Sequence, residues 1–357
     1  MDHFAKNLLA WFDIHGRSNL PWQHPRTPYR VWLSEVMLQQ TQVRTVIAYF
    51  ERFVNALPTL SDLANAPQDR VLALWSGLGY YSRARNLHRS AQICVEQYAG
   101  HLPESIEQLA ALPGIGRSTA AAILAQAHGE SHAILDGNVR RVLARFHGIH
   151  GWPGSGIVQK ALWELAESHT PQTRVADYTQ AIMDLGALLC TRSKPRCSEC
   201  PLRNDCVALR EGLTAVLPQS KPAKKIPTRE LTMLIVRDNQ GRILLERRPP
   251  TGVWARLWSL PEGEDIAQAS RAIIDRPSIE SDRLSVLPEF AHAFSHYKLR
   301  ITPMLLQMDG VESCIADDPD RGWYAPRELE DLGLPAPVRK LLATLTTEDP
   351  PCEPLTA

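Results

Sequence analysis

Leu112-Pro113-Gly114-Ile115-Gly116-Arg117-Ser118-Thr119-Ala120 decides how the first half of the chain is built. Pro113 stops a helix that the spacing places over Ser105 to Leu112. A second helix follows over Ser118 to His128. Gly114 and Gly116 give a tight turn and let another group come close to the backbone. The free amides that open the second helix then point outward and favour an anion such as phosphate. The plain alternative is an ordinary turn between two packed helices.

Working outward, the same reading holds over the first 190 residues. Leu8, Leu9, Trp11 and Phe12 make one apolar helical face, and Tyr29 to Phe50 reads as a further helix after Pro28. Val71 to Trp75, Ala84 to Tyr98, Val139 to Phe146, Val158 to Ser168 and Tyr178 to Cys190 continue the series. Most breaks carry Pro or Gly, among them Pro58, Pro67, Gly77, Gly79, Gly100, Pro103 and Gly151. Residues 1–217 are thus expected to be all-α, with the hairpin at about 111–120 and a cysteine-rich loop at 190–206.

Beyond this the period changes. Residues 218–227 are polar, basic and broken by Pro218, Pro222 and Pro227, which reads as a linker. Leu231 to Val236, Ile243 to Glu246 and Leu299 to Leu306 alternate like strands, with Asp238-Asn239-Gln240-Gly241 as a hairpin turn. Residues 228–345 are expected to form an α+β domain, and 346–357 a disordered tail.

The chain has 357 residues, 44% hydrophobic and 22% charged, and a formal charge of +0. The zero hides an asymmetry. Residues 1–225 hold 24 Lys and Arg against 18 Asp and Glu, and residues 226–357 hold 15 against 21. A mildly basic first half suits phosphate, though a surplus this small decides nothing alone. No stretch approaches the roughly 18 uncharged apolar residues of a membrane span. Met1 to Trp22 lacks the layout of a secretory signal, so a cytoplasmic protein is expected.

Four of the seven cysteines share one window, Cys190, Cys197, Cys200 and Cys206. Such density in a cytoplasmic protein suggests a metal site rather than disulfides. Four sulfurs suit zinc or a 4Fe–4S cluster, and Cys197 with Cys200 alone could be a redox pair. Arg192, Lys194, Arg196, Arg203 and Arg210 flank them, a basic rim that could brace a loop against phosphate. Cys94, Cys314 and Cys352 are isolated and read as packing or surface residues.

Two carboxylates stand out. Asp136, before Gly137-Asn138-Val139, is placed to cap a helix. Glu35 lies in the apolar helical stretch Trp32 to Gln40, where a lone Glu is ordinarily solvated. In an apolar pocket its pKa would rise and keep it protonated, ready to act as an acid. Two carboxyl groups in unlike surroundings are what glycosidic bond cleavage requires.

Together these residues resemble the MutY-type adenine DNA glycosylases, in the helix–hairpin–helix superfamily that includes endonuclease III. The resemblance runs through Leu20-Pro21-Trp22, Trp32 to Val43, Gly77-Leu78-Gly79-Tyr80-Tyr81 and Leu112 to Ala120. It continues through Leu135-Asp136-Gly137-Asn138, the four cysteines and Phe294-Ser295-His296. It implies Glu35 as general acid and base, Asp136 as the transition-state carboxylate, and Asn138 as support for the Asp136 loop. It implies one 4Fe–4S cluster on the four cysteines. It also implies contact with the duplex by Gln40, Leu78 and Tyr80, and with the DNA backbone by Pro113, Gly114, Gly116, Arg117 and Ser118. Arg17, Trp22 and Gln180 would line an adenine pocket.

Endonuclease III-like enzymes carry a nucleophilic Lys where this chain has Ser118, and a hydroxyl cannot form a Schiff base. A glycosylase with little or no lyase activity is therefore expected. The second domain resembles a MutT-like (Nudix) fold without its catalytic glutamates. Arg271-Ala272-Ile273-Ile274-Asp275 is the nearest segment and lacks them. Phe294, Ser295 and His296 match the family's loop for sensing 8-oxoguanine, while His292 and His296 could equally be ordinary strand-edge histidines. The expected partner is double-stranded DNA with adenine opposite 8-oxoguanine or guanine. The protein would be a nucleoid-associated monomer that makes no membrane contact and meets other repair proteins.

Overall fold

A computed structural model describes residues 1–221, 226–270, 284–294, 296–308 and 318–347. The chain divides into two compact units, residues 1–65 with 86–223, and residues 66–85 with 224–357.

The first unit is helical. In order come α1 (His3–His15), α2 (Pro28–Leu38), α3 (Val43–Ala56) and α4 (Leu60–Asn65). After α5 (Gln68–Trp75), which belongs to the second unit, follow α6 (Ser82–Gln97), α7 (Ile106–Ala111), α8 (Arg117–His128) and α9 (Gly137–Phe146). Then come α10 (Gly156–His169), α11 (Val175–Leu188) and the short α12 (Val207–Arg210). Caps fix several starts. Asp2 accepts from the Ala5 amide, Thr27 from Arg30 and Ser105 from Gln108. One core joins α1, α8, α9, α10 and α11, with Phe4, Leu8, Ala121, Val139, Leu143, Tyr178 and Leu185 buried in it. At its edge His169 links Asp2 to His147, whose Nε2 lies 2.8 Å from that of His169. Burial pushes His147 down to about 4, so that ring is neutral near pH 7.

The single helix expected over Tyr29 to Phe50 is two helices. Gln39-Gln40-Thr41-Gln42 offers nothing to the core, and Gln40 turns left-handed at φ 59°. α2 buries Trp32, Leu33, Val36 and Met37, and α3 starts afresh to bury Val46, Phe50 and Phe53. The sequence reading also passed over α4, six residues with Leu60 and Leu63 buried.

The second unit holds one mixed sheet of β1 (Thr228–Asp238), β2 (Ile243–Arg247), β3 (Trp258–Ser259), β4 (Glu262–Gly263), β5 (Leu284–Val286), β6 (Phe290–Ala293), β7 (Lys298–Met308) and β8 (Arg321–Tyr324). The long strands β1 and β7 run parallel with Leu234 beside Met304, and β3-β2-β1-β7-β5 gives the spatial order. Asp238 accepts from the Gln240 and Arg242 amides, closing the expected hairpin between β1 and β2. α13 (Ile266–Ser270) and α14 (Ala336–Thr347) complete it; Val338 and Leu342 of α14 lie in the core with Ile235 and Ile301. Arg271 to Asp275, Ser295, Cys314, Cys352 and the tail from 348 lie outside the described residues.

The expected split into 1–217 and 228–345 takes no account of residues 66–85, which pack with the second unit. Arg247 grips Asp69 with two bonds of 2.8 Å, and Arg85 donates to the Ala255 carbonyl. Leu72 packs so tightly on Gly333 that a Cβ there would lie 2.8 Å from its own. Among the described residues no helix is long and apolar enough to cross a membrane.

Gly186 lets α11 approach α9 closely in the first unit's core. A Cβ there would meet Asn138 Cβ at 2.6 Å and its backbone at 3.1 Å. Gly186→Ala should therefore push α9 away and cost about 1–3 kcal/mol of stability, read as a lower denaturant midpoint with an unchanged slope.

Candidate active site

Glu35 projects from α2 between the buried residues Ser34 and Val36, so its carboxyl has lost most of its water. Its Oε1 accepts a 2.9 Å hydrogen bond from the Gln126 amide of α8, itself buried. Burial pushes the Glu35 pKa up to about 7, the negative charge of Asp136 pushes the same way, and the Gln126 bond opposes both.

Asp136 is the N-cap of α9, as its position in the sequence predicted. One oxygen accepts from the Val139 amide at 2.8 Å and the other from the Asn138 side chain at 3.3 Å. Burial raises its pKa, while these bonds and nearby Arg141 hold it down. The cap and the functional readings are therefore one arrangement. A helix N-terminus and two N–H donors favour the anion. Glu35 lacks such donors apart from Gln126 and favours the acid. The two carboxyls share one cavity of about 770 Å³.

That cavity brings together eight of the residues singled out in the sequence. Asn138, Ser118, Gln40, Arg17, Trp22 and Gln180 line it with the two acids. Gln40 is exposed at its rim. Trp22 is almost wholly buried, edge-on to Phe50 with ring centres 5.4 Å apart. Arg17 and Gln180 are held by Asp184, a fully buried carboxylate that no sequence signal marked. It accepts from the Arg17 amide and guanidinium at 2.6–2.9 Å and from Gln180 Nε2 at 2.7 Å.

The hairpin closes one wall. Gly114 is left-handed at φ 78°, and a Cβ there would strike Asn86 at 2.9 Å. Gly116 caps α8 with no side-chain bond and has open space where a Cβ would be. Ser118 Oγ accepts from the Leu135 amide at 2.9 Å, tying the hairpin to the residue before Asp136. Arg117, expected among the DNA-backbone contacts, is exposed. Its guanidinium pairs with Glu167 and lies 3.9 Å from the centre of the Trp163 ring.

Cys190, Cys197, Cys200 and Cys206 line a second cavity with Arg145, and none is in a disulfide. Arg145 is buried and donates to the carbonyls of Thr191, Arg192 and Leu217, and to Cys190 Sγ at 3.4 Å. Arg141 spans from Asn138 Oδ1 to the carbonyls of Gly186 and Cys190. Among the described residues no three His, Cys, Asp or Glu side chains are close enough to hold one metal ion. A zinc ion would gather four sulfurs at about 2.3 Å from a single point. A four-iron cluster keeps its thiolates further apart, one to each iron. The all-thiol donor set fits a 4Fe–4S cluster, one thiolate to each iron, and by donor type alone would also fit zinc. Cys94 is buried packing on α6.

In the second unit Leu78 is buried, at 6% exposure, and does not project as a wedge; Tyr80 beside it is half exposed with φ 48°. Phe294 meets Trp254, His292, His296 and Tyr297 in one aromatic group, with ring centres 4.7–6.2 Å apart.

Family profiles match three stretches. Residues 33–168 match the HhH-GPD superfamily of base excision DNA repair proteins, 190–206 the iron–sulfur binding domain of endonuclease III, and 232–344 the NUDIX domain. The adenine DNA glycosylase of Buchnera aphidicola (Acyrthosiphon pisum) is 36% identical over 339 residues, covering 95% of this chain and 96% of that one. The chain belongs to the adenine DNA glycosylase family. The human adenine DNA glycosylase is 34% identical over 97% of this chain and 74% of its own. A thermostable thymine-DNA glycosylase superimposes with TM-score 0.54 at 28% identity, over 58% of this chain and 95% of that one. An endonuclease III–DNA complex gives 0.51 at 22% identity, over 59% and 95%, a likeness of fold.

This adenine DNA glycosylase is a base excision repair enzyme, a DNA N-glycosylase directed at adenine, and its cofactor is one 4Fe–4S cluster. Bound to the four thiolates, the cluster would cross-link the loop 190–206. Arg145 and Arg141 then carry that loop to α9 and Asn138.

Glu35 also leaves a mark on folding. Its folded pKa lies above the ordinary 4.5, so its stability contribution is full below that value and is lost as pH rises through about 7. Glu35→Gln removes the buried charge. Thermal melting should find the variant more stable than the natural enzyme above pH about 7, with the gain shrinking towards about 4.5.

Proposed function

We propose that the enzyme hydrolyses the glycosidic bond of adenine mispaired with 8-oxoguanine or guanine, without cutting the strand. The observation that carries this reading is the shared cavity of Glu35 and Asp136: burial pushes both carboxyls up, and Asp136 alone is held at a helix start by two N–H donors that favour its anion.

The base must leave the stack before its bond can be reached. Gln40 and Tyr80 are the exposed residues suited to prop the opened duplex, and the α8 amides suit a phosphate. Inside the cavity Gln126 occupies Glu35 Oε1, leaving Oε2 to carry the proton. That proton goes to adenine N7 and makes the base a better leaving group. Positive charge then grows on the sugar, and the Asp136 carboxylate stabilises it, fixed in place by Val139 and Asn138. Glu35, now ionised, takes a proton from the attacking water. Free adenine and an abasic site result. The expected selectivity for 8-oxoguanine is assigned to Phe294, Ser295 and His296, of which Ser295 lies outside the described residues. Such a substrate places the enzyme in the cytoplasm with the nucleoid.

Duplexes carrying A:8-oxoguanine, A:G and A:T test this directly. Adenine should be freed fastest from the first, and strands should break only after alkali. The rate should fall as pH rises through about 7, because Glu35 must hold its proton. Glu35→Gln should bind the duplex and lose at least about a hundredfold in rate. Normal turnover by that variant would remove Glu35 from the chemistry, and equal rates on both mispairs would remove the sensing loop.

Ser118→Lys places an amine at the cavity wall and removes the bond to Leu135. It should gain strand cleavage trapped by borohydride, with slower base release. Borohydride trapping by the natural enzyme would overturn the single-activity reading.

A further inference from the structure

The turn that carries Tyr80 is unusual backbone. Gly77, Gly79 and Tyr80 all have positive φ, at 102°, 71° and 48°. The value at Tyr80 is unfavourable for a residue with a side chain, and it persists only where surroundings hold it. From within the turn, Trp75 Nε1 donates to the Gly79 carbonyl at 3.1 Å, and Arg83 donates to those of Leu78 and Gly79. The other restraints come from far along the chain. Tyr81 OH donates to the Leu334 carbonyl at 2.9 Å and accepts from the Gly77 amide at 3.4 Å. Ser76 Oγ donates to the same carbonyl at 3.2 Å. Arg339 Nε donates to Ser76 Oγ, and its Nη2 to the Leu332 carbonyl at 2.8 Å. Both ends of the turn therefore meet at one peptide group more than 250 residues away in sequence.

We propose that Tyr81, Ser76 and Arg339 form a clamp through which the Leu332–Leu334 segment holds the 77–80 turn, and so positions Tyr80 for opening the duplex. None of the three touches the reacting base; they are positioning residues. The inference rests on the reading of Tyr80 as a duplex-opening residue. It gives the Nudix-like part of the chain a second task, separate from any contact with 8-oxoguanine. The task is to keep a strained turn ready before DNA arrives.

The test uses the full-length enzyme with its cluster, and Tyr81→Phe and Arg339→Met as variants. Each removes two hydrogen bonds and keeps most of the bulk. Base opening is followed by the fluorescence of 2-aminopurine beside the target adenine, and chemistry by adenine release. Tyr81→Phe should slow opening in a paired A:8-oxoguanine duplex by about three- to tenfold, the size of losing its short bond to Leu334 with the long contact from Gly77 adding little. Release of an adenine already bulged out should keep its natural rate. Arg339→Met should do the same, and the double variant should add less than the product of the two. Unchanged opening in both single variants would overturn the clamp. So would an equal loss on paired and bulged adenine, which a merely structural role would produce. Should the natural enzyme open the duplex yet free no adenine, the functional reading fails and the clamp is still measured by the fluorescence.

Discussion

A carboxyl group kept out of water beside a second carboxylate is the constraint on which the site depends. Two negative charges in one low-dielectric cavity repel strongly, so one of the pair must keep its proton. The packing of α2 on α8 decides which. Glu35 sits in a helix interior with one amide donor, and Asp136 sits at a helix start with two N–H donors. The asymmetry is built from ordinary parts, a buried helix face and an N-cap. It yields an acid and an anion at the same pH.

Holding that pair still takes long-range ties. Ser118 fixes the residue before Asp136, Gly186 lets α11 lie against Asn138, and Arg141 joins Asn138 to the cysteine loop. Arg145 then binds that loop at two carbonyls and a thiol, and the chain beyond it at the Leu217 carbonyl. The cluster loop is thus wired to the catalytic helix by two arginines, which suits a structural part for the 4Fe–4S group.

The residues proposed to carry chemistry were singled out in the sequence by the family resemblance. Taken singly, Glu35, Asp136 and the four cysteines each had a plain structural reading beside the functional one. The hairpin was legible because Pro113, Gly114 and Gly116 have strong backbone preferences. Gln126, Asp184, Arg141 and Arg145 were not. Their roles lie in partners 45 to 167 residues away, and a buried polar residue on a helix looks locally like a solvated one. The break at Gln40 was missed because apolar residues on both sides keep a helical rhythm. The placement of residues 66–85 with the second unit was invisible for a related reason, since Asp69, Ser76 and Tyr81 find their partners only after the chain has folded back.

The engagement of Arg117 with Glu167 and Trp163 has a consequence for how this enzyme would travel on DNA. In the proposed grip on DNA, while that guanidinium stays paired the hairpin would meet a phosphate through neutral N–H groups. Neutral donors displace few condensed cations, so this part of the grip changes little with ionic strength. A hold of that kind tolerates translocation along the helix in concentrated salt, where a ring of lysines would let go.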